Sequence, residues 1–186
     1  MSALKEQSDE ELYRRMRKGD RLAFAELYER RQPAINRYAL HMSGSRAAGE
    51  EIAQEVFVRL MGPRAGFDER RGSLEAYLYG VARNLVHEMR RTGRVEELKD
   101  QVIDHDLLGD LIKRDMVAAL YSAMDALPER YRDVVVLCEL EERSYEEAAR
   151  LMGCPVGTIR SRLYRARMFL AARLKPVGMA SEVTAR

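Results

Sequence analysis

Helix-capping residues, and the glycines and prolines that end helices, divide this 186-residue chain into segments of helical length. Ser8, Asp20, Ser45 and Ser73 each precede a run in which apolar residues recur every three or four positions. Such side chains accept hydrogen bonds from the free N–H groups of a first helical turn, so each is expected to begin a helix. Pro33 predicts a break or a new start before Ile35. In the segment after Asp20, the residues predicted to face the core are Leu22, Phe24, Leu27 and Tyr28.

Residues 144–175 carry the most informative helical pattern. Ser144 and Glu147 have capping-box spacing, which predicts a helix that ends about two turns later at Gly153. A longer helix is predicted to follow from Pro155, with one apolar stripe formed by Val156, Ile159, Leu163, Ala166, Leu170 and Leu174. A short helix, a tight turn and a longer basic helix are typical of a helix-turn-helix, whose second helix enters the DNA major groove.

The charge pattern supports a polyanion-binding surface on this second helix. The net charge is only +2, but residues 148–175 contain seven basic and no acidic side chains. At about 100° per residue, the face opposite the apolar stripe presents small residues and long guanidinium groups, suited to base edges and phosphates. These residues are Gly157, Thr158, Ser161, Tyr164 and Arg165, with Arg160, Arg162 and Arg167 on the flanks. An ordinary basic helix packed on a bundle remains the alternative at this point.

Residues 92–112 interrupt the helical pattern with an acidic segment that has no sustained period. We therefore predict an all-α protein of two small helical domains, residues 1–91 and 113–175, joined by a flexible linker. The tail, residues 176–186, has no core pattern and is expected to be disordered. No apolar run approaches the roughly 18 residues that a membrane helix requires, and two cysteines cannot build a disulfide framework, so a cytoplasmic protein is expected.

The sequence contains no pattern typical of catalysis. Cys138 lies in the apolar run VVVLCEL and is expected to be a core thiol. The three histidines, His41, His87 and His105, are far apart in sequence and do not predict a metal site. No phosphate-binding loop or nucleophile motif is present. We therefore expect no catalytic residue, metal or cofactor, and no enzymatic activity of the chain on its own.

Longer stretches of sequence resemble one known family. The run ALPERYRDVVVLCELEERSYEEAARLMGCPVGTIRSRLYRARMFLAARL resembles region 4, the −35-reading domain, of bacterial extracytoplasmic-function (ECF) sigma factors. GEEIAQEVFVRLM and FDERRGSLEAYLYGVARNLVHEMRR resemble parts of region 2, which docks on RNA polymerase and opens and reads the −10 element. The resemblance covers roughly residues 9–175. It implies a sigma factor that directs core RNA polymerase to a class of promoters and is held inactive by an anti-sigma factor.

The resemblance also implies roles for individual residues. In the second domain, Thr158, Arg160, Ser161, Arg162 and Arg165 would contact the −35 element. In the first domain, Arg70, Arg71, Tyr77, Arg83, Asn84 and His87 would contact the −10 element, with Asn84 and the preceding loop holding an unstacked base. Glu51, Gln54 and Glu55 would face the clamp coiled coil of the polymerase β′ subunit.

The match departs from the family pattern at two positions of the −10 segment. Tyr77 stands where family members usually carry Trp, and Gly80 where Arg is common. Two other functions are weighed beside the sigma factor. A stand-alone helix-turn-helix regulator would leave the match in residues 45–91 unexplained. A helical interaction adaptor, such as a sigma-mimicking decoy that binds anti-sigma factors, would not need the DNA-reading arginines.

Overall fold

The computed structural model describes residues 2–63, 65–99 and 111–178. These residues form helices and the loops between them. They divide into a first unit, which holds α1 to α6 and also residues 150–153, and a second unit, which holds α7, α8, α10 and the start of α9. The helices of the first unit are α1 (Ser2–Lys5), α2 (Asp9–Arg17), α3 (Arg21–Ser43), α4 (Arg46–Met61), α5 (Leu74–Arg91) and α6 (Arg94–Lys99). The helices that follow along the chain are α7 (Leu111–Asp125), α8 (Glu129–Val135), α9 (Tyr145–Met152) and α10 (Val156–Gly178).

The predicted caps begin four helices of the first unit. Ser8 accepts a hydrogen bond from the Glu11 N–H at the start of α2, at 3.2 Å. Asp20 accepts from the N–H groups of the second and third residues of α3. Ser45 and Ser73 cap α4 and α5 in the same way. Each side chain satisfies N–H groups that have no acceptor within the helix, and these predictions are confirmed.

The first unit is built around α3, which packs against α2, α4 and α5. Tyr38 of α3 and Tyr79 of α5 are fully buried and meet edge to face, with ring centroids 5.0 Å apart. Gly49 lets α4 approach α3 closely, because a Cβ there would lie 3.0 Å from the backbone nitrogen of Leu40. This spacing fixes the outer face of α4 relative to the core.

A buried carboxylate ties three helices of the first unit together. Asp9 at the start of α2 is 6% exposed and forms ion pairs with both Arg30 and Arg31 of α3. Arg31 extends the network to Glu75 in the first turn of α5, at 2.8 Å. A buried charge needs such partners, since an unpaired carboxylate in the interior is costly. The network therefore orients α2 on α3 and α5.

Two expectations for α3 are wrong. Pro33 does not break the helix, which continues from Arg21 to Ser43. The proline forfeits one backbone hydrogen bond, but Leu27, Ile35 and Tyr38 on either side of it are buried against the neighbouring helices, and this burial outweighs the loss. Leu22 and Tyr28 were expected to face the core and are 69% and 37% exposed, whereas Ala23 beside Leu22 is buried.

The first unit extends beyond the boundary predicted at residue 91. The short helix α6 packs on α4 and α5, with Val95 fully buried. Ser45 donates its hydroxyl hydrogen to the Leu98 carbonyl at 3.0 Å, and Arg94 pairs with Glu51 at 2.7 Å. The first part of the predicted linker therefore belongs to the first unit. Residues 100–110, in its later part, lie outside the described residues.

The second unit packs α10 against α7 and α8. Arg132 of α8 is buried and donates hydrogen bonds to three carbonyls at the end of α7, those of Met124, Asp125 and Leu127. The β-branched run 134–136 is helical and buried, as predicted, and passes into a π-helical turn, Val136–Leu140. Against expectation, α10 continues past Lys175 into the predicted tail as far as Gly178.

Candidate functional site

Helices α9 and α10 form the predicted helix-turn-helix. Ser144 and Glu147 form a reciprocal capping box: the Glu147 N–H donates to the Ser144 hydroxyl, and the Ser144 N–H donates to the Glu147 carboxylate. Gly153 ends α9 with φ +60°, a conformation that side chains with a Cβ rarely adopt. Ile159, Leu163 and Ala166 are buried, so the predicted stripe fixes which face of α10 is turned outward.

The outward face of α10 presents most of the residues predicted for duplex DNA. Arg160, Ser161 and Arg165 are exposed, and Tyr164 beside them is 68% exposed. Thr158 and Arg162 are half-buried at the edges of this face. The Ser161 hydroxyl donates to the Thr158 carbonyl at 3.1 Å, so its oxygen can still accept a hydrogen bond. The face combines long cationic side chains with small ones, as a base-reading helix requires.

Residues from neighbouring helices orient the arginines of α10, and the sequence analysis missed them. The Tyr131 hydroxyl of α8 hydrogen-bonds Arg165, and the guanidinium groups of Arg165 and Arg130 lower the pKa of Tyr131. Arg160 lies over the ring of Tyr145, the first residue of α9. The central guanidinium carbon of Arg160, Cζ, is 5.9 Å from the ring centroid. The spacing of residues along α10 predicts which of them face outward. It gives no information on side chains that other helices place beside them, so these contacts could not be predicted from it.

Glu139 holds a further arginine of α10. Its carboxylate accepts from the Arg167 Nε at 3.1 Å, and this pairing raises the pKa of Arg167. Glu139 lies in the π-helical turn. Both side chains of this ion pair are exposed to solvent. The pair is therefore expected to weaken as salt concentration rises.

In the first unit, the residues predicted for the −10 element lie on the loop before α5 and along α5. Arg70 and Arg71 are exposed in a short 3-10 turn, Glu69–Arg71, and Asn84 is exposed on α5. Arg83 and His87 are half-buried on the same helix. The structure thus presents a basic loop beside an exposed amide, although it does not leave all six predicted side chains equally accessible.

Tyr77 is engaged with the loop. Its hydroxyl accepts a hydrogen bond from the Gly66 N–H at 3.2 Å, and its ring lies 5.6 Å from that of Phe67. Gly80, one turn further along α5, has open space where a side chain would extend. The departure at position 77 therefore supports the loop, and the departure at position 80 leaves room on the helix face.

The outer face of α4 is acidic and polar, as predicted. Gln54 is exposed, Glu55 pairs with Arg59 at 2.9 Å, and Val58 is 48% exposed. This face borders a groove of about 520 Å³ whose other wall includes Leu85 and Met89 of α5. Both residues are buried, so the groove has an apolar wall beside the charged residues of α4.

The described residues contain no group of His, Cys, Asp and Glu that could hold a metal ion. Burial raises the pKa of the Cys138 thiol to about 11, so the thiol is protonated at neutral pH. His105 lies outside the described residues. No helix in the described ranges has the length and apolar character to cross a membrane.

Comparison with known proteins gives matches over both units. Residues 27–95 match the family model for Sigma-70 region 2, and residues 118–170 match that for Sigma-70, region 4. The ECF RNA polymerase sigma factor SigE of Mycolicibacterium smegmatis is 35% identical over 153 residues, which cover 78% of this chain and 59% of that protein. The ECF RNA polymerase sigma-E factor of Escherichia coli K12 is 30% identical over 189 residues, covering 91% and 96%.

Solved structures give the same picture of the fold. The sigma factor RpoE from Bartonella quintana, in complex with the anti-sigma factor NepR, is 27% identical with a TM-score of 0.56, covering 82% of this chain and 96% of that one. CnrH, in complex with the cytosolic domain of CnrY, has a TM-score of 0.66 over 91% of this chain and 99% of that one; at 24% identity it supports the fold alone.

Proposed function

The chain belongs to the ECF sigma factors of bacterial RNA polymerase, and on that premise we propose how its two units divide the work. The first unit binds core polymerase and opens and reads the −10 element. The second unit reads the −35 element in duplex DNA. The observation that carries this proposal is that the region 2 match lies in the first unit, whereas the region 4 match lies in the second unit apart from residues 150–153.

Duplex recognition is assigned to the outward face of α10. Arg165 and Ser161 lie near the centre of that face and reach base edges, with Arg160 beside them near the helix start. Arg162 lies on its shoulder, closer to the phosphates, and Thr158 borders the turn. Guanidinium groups bind guanine edges in a bidentate manner and also neutralise phosphates, so one helix supplies both specificity and affinity.

Strand opening is assigned to the loop before α5 and to α5 itself. Arg70 and Arg71 follow the backbone of the non-template strand, and Asn84 holds an unstacked base against the loop. Tyr77, Arg83 and His87 complete this surface as supporting contacts. Aromatic and basic residues close together are suited to single strands, whose bases are free to leave the stack.

Core polymerase is assigned to the outer face of α4, through Glu51, Gln54 and Glu55, which would face the β′ clamp coiled coil. Replacing Glu55 with Lys reverses the charge of this face and should weaken association with core polymerase. Glu29→Lys on α3 is the matched control, since it makes the same charge change at an exposed position elsewhere. Equal dissociation constants for the two variants would contradict the assignment.

The family and the RpoE–NepR complex together support an anti-sigma factor as a further partner. Polymerase and promoter DNA place the working protein in the cytoplasm. The chain supplies promoter specificity, while core polymerase supplies the chemistry of RNA synthesis, so no catalytic residue is assigned.

Run-off transcription with core polymerase on a promoter library, followed by mapping of start sites, tests the proposed function. A sigma factor gives defined start sites that share −10 and −35 sequences. A stand-alone regulator would bind duplex DNA without polymerase and give no start sites. A decoy would bind an anti-sigma factor and give neither. Absence of any polymerase-dependent start site would overturn the proposal.

A further inference from the structure

One face of α2 follows the loop before α5 from end to end. Arg17 donates to the Gly62 carbonyl at 2.7 Å, at the start of the loop. Tyr13 packs edge to face on Phe67, with ring centroids 5.1 Å apart. These side chains are one helical turn apart on α2, and they meet positions five residues apart on the loop.

The second half of the loop meets the same helix face. Arg14 pairs with Glu69 in the 3-10 turn at 3.2 Å. Glu10 accepts a hydrogen bond from the Leu74 N–H at 2.9 Å, where the loop enters α5. Residues 10, 13, 14 and 17 have the spacing of one helix face, so α2 and the loop run in opposite directions with contacts at start, middle and end.

Burial and helix electrostatics show that these contacts hold the loop in place. Tyr13 is only 8% exposed, and its partner Phe67 also contacts the tilted ring of Tyr77 of α5. The three rings therefore hold the loop between two helices. Glu10 places a negative charge at the N-terminus of α5, where the helix dipole favours it. The buried Asp9 network anchors α2 itself to α3 and α5.

We propose that this face of α2 is a template that sets the shape of the −10 loop, and that Glu10, Tyr13, Arg14 and Arg17 are positioning residues for reading the opened strand. The inference rests on the proposed function. It goes beyond it because α2 precedes the segment that matches Sigma-70 region 2, residues 27–95. None of the four residues needs to touch DNA; they act through Arg70, Arg71 and the loop backbone.

The test uses the full chain with core polymerase and a promoter recovered from the library. The double variant Glu10→Gln/Tyr13→Leu should open this promoter about tenfold less, as measured by permanganate reactivity of its −10 thymines. The reason is that the Leu74 N–H loses its charged acceptor and Phe67 loses its ring contact. It should also lose base preference for a single-stranded −10 oligonucleotide. Its affinity for core polymerase should be unchanged, since the α4 face is intact.

Two matched variants separate positioning from general stability. Glu11→Gln makes the same chemical change one residue along α2, and Tyr13→Phe keeps the ring; both should behave as the wild type. If the double variant is not folded, Glu10→Gln alone carries the same expectation, with a smaller loss. Base preference equal to that of Glu11→Gln would overturn this inference while the proposed function stands. Failure of the wild type to open any promoter would instead overturn the proposed function.

Discussion

Arg165 and Arg162 lie at different positions on the outward face of α10. Their removal is therefore expected to change DNA binding in different ways. Arg165→Ala should cost roughly 1–3 kcal/mol on the preferred −35 element and relax preference at one position. Arg162→Ala should weaken all sequences about equally and lower the salt dependence by about one counterion. The measurement is binding of the protein to −35 duplex variants across a salt series.

Tyr131 offers a finer test of the same face. Tyr131→Phe removes the hydroxyl that bonds Arg165 and leaves every arginine of α10 in place. We expect reduced discrimination at the position read by Arg165, with an unchanged salt slope.

A uniform loss of affinity for Arg165→Ala, with base preference intact, would show that the reading face is assigned incorrectly.

Cys138, expected in the core, is half-buried, and its thiol gives a prediction for the pH dependence of alkylation. Because its pKa is raised to about 11, its thiolate fraction should grow about tenfold for each pH unit between 8 and 10. Iodoacetamide alkylation measured in a Cys154→Ser background should rise in step, whereas a free peptide thiol levels off within this range. Levelling off near pH 9 would contradict the raised pKa.

Which single residues could be identified from the sequence depended on whether their surroundings came from their own helix. The exposure of Arg160, Ser161 and Arg165 follows from the period of α10. The contacts from Tyr131 and Tyr145 do not, because α8 and α9 supply them. Helical spacing identifies a face, but it carries no information on what a second helix places against it.

At the scale of helices, the capping residues were reliable and the breakers less so. Ser8, Asp20, Ser45 and Ser73 begin helices because their hydrogen bonds are local and need nothing from the rest of the chain. Pro33 was misjudged because the burial that outweighs its cost involves residues distant in sequence. Local hydrogen bonds predict where helices start, whereas packing against distant residues determines whether a helix continues through a proline.

Two glycines within helices are expected to respond oppositely to alanine. Gly80→Ala should stabilise the protein by about 0.5–1 kcal/mol, because the added Cβ meets open space and the unfolded chain loses freedom. Gly49→Ala should destabilise it by about 1 kcal/mol, because its Cβ would press on the backbone of Leu40. Urea unfolding of both variants measures the difference, and equal shifts of the midpoint would contradict it.

At the scale of the whole chain, the all-α class and the helix-turn-helix followed from pattern alone, but the end of the first unit did not. Helix α6 has six residues and one fully buried anchor, Val95, too little for a periodic signal. Its attachment depends on Ser45 and Glu51, some 50 residues earlier. Short elements held by distant partners are the ones that sequence periodicity does not reveal.

Limited trypsin digestion tests the revised boundary. With α6 packed on the first unit, early cuts should fall at Lys99, Lys113 or Arg114, around the rest of the predicted linker. Cuts at Arg91 and Arg94 should come later, because they require α6 to leave its site. Early cleavage at Arg94 would show that α6 is not part of the first unit in solution.

The aromatic contact between α2 and the loop also gives the molecule a place for an optical reporter. The chain contains no tryptophan, so a single introduced indole would be the one such fluorophore in the protein. Phe67→Trp would put it between the rings of Tyr13 and Tyr77, close in sequence to the arginines assigned to the opened strand. Its emission would shift as water reaches the ring, and the departure of the loop from α2 could then be followed in real time while polymerase and promoter are added.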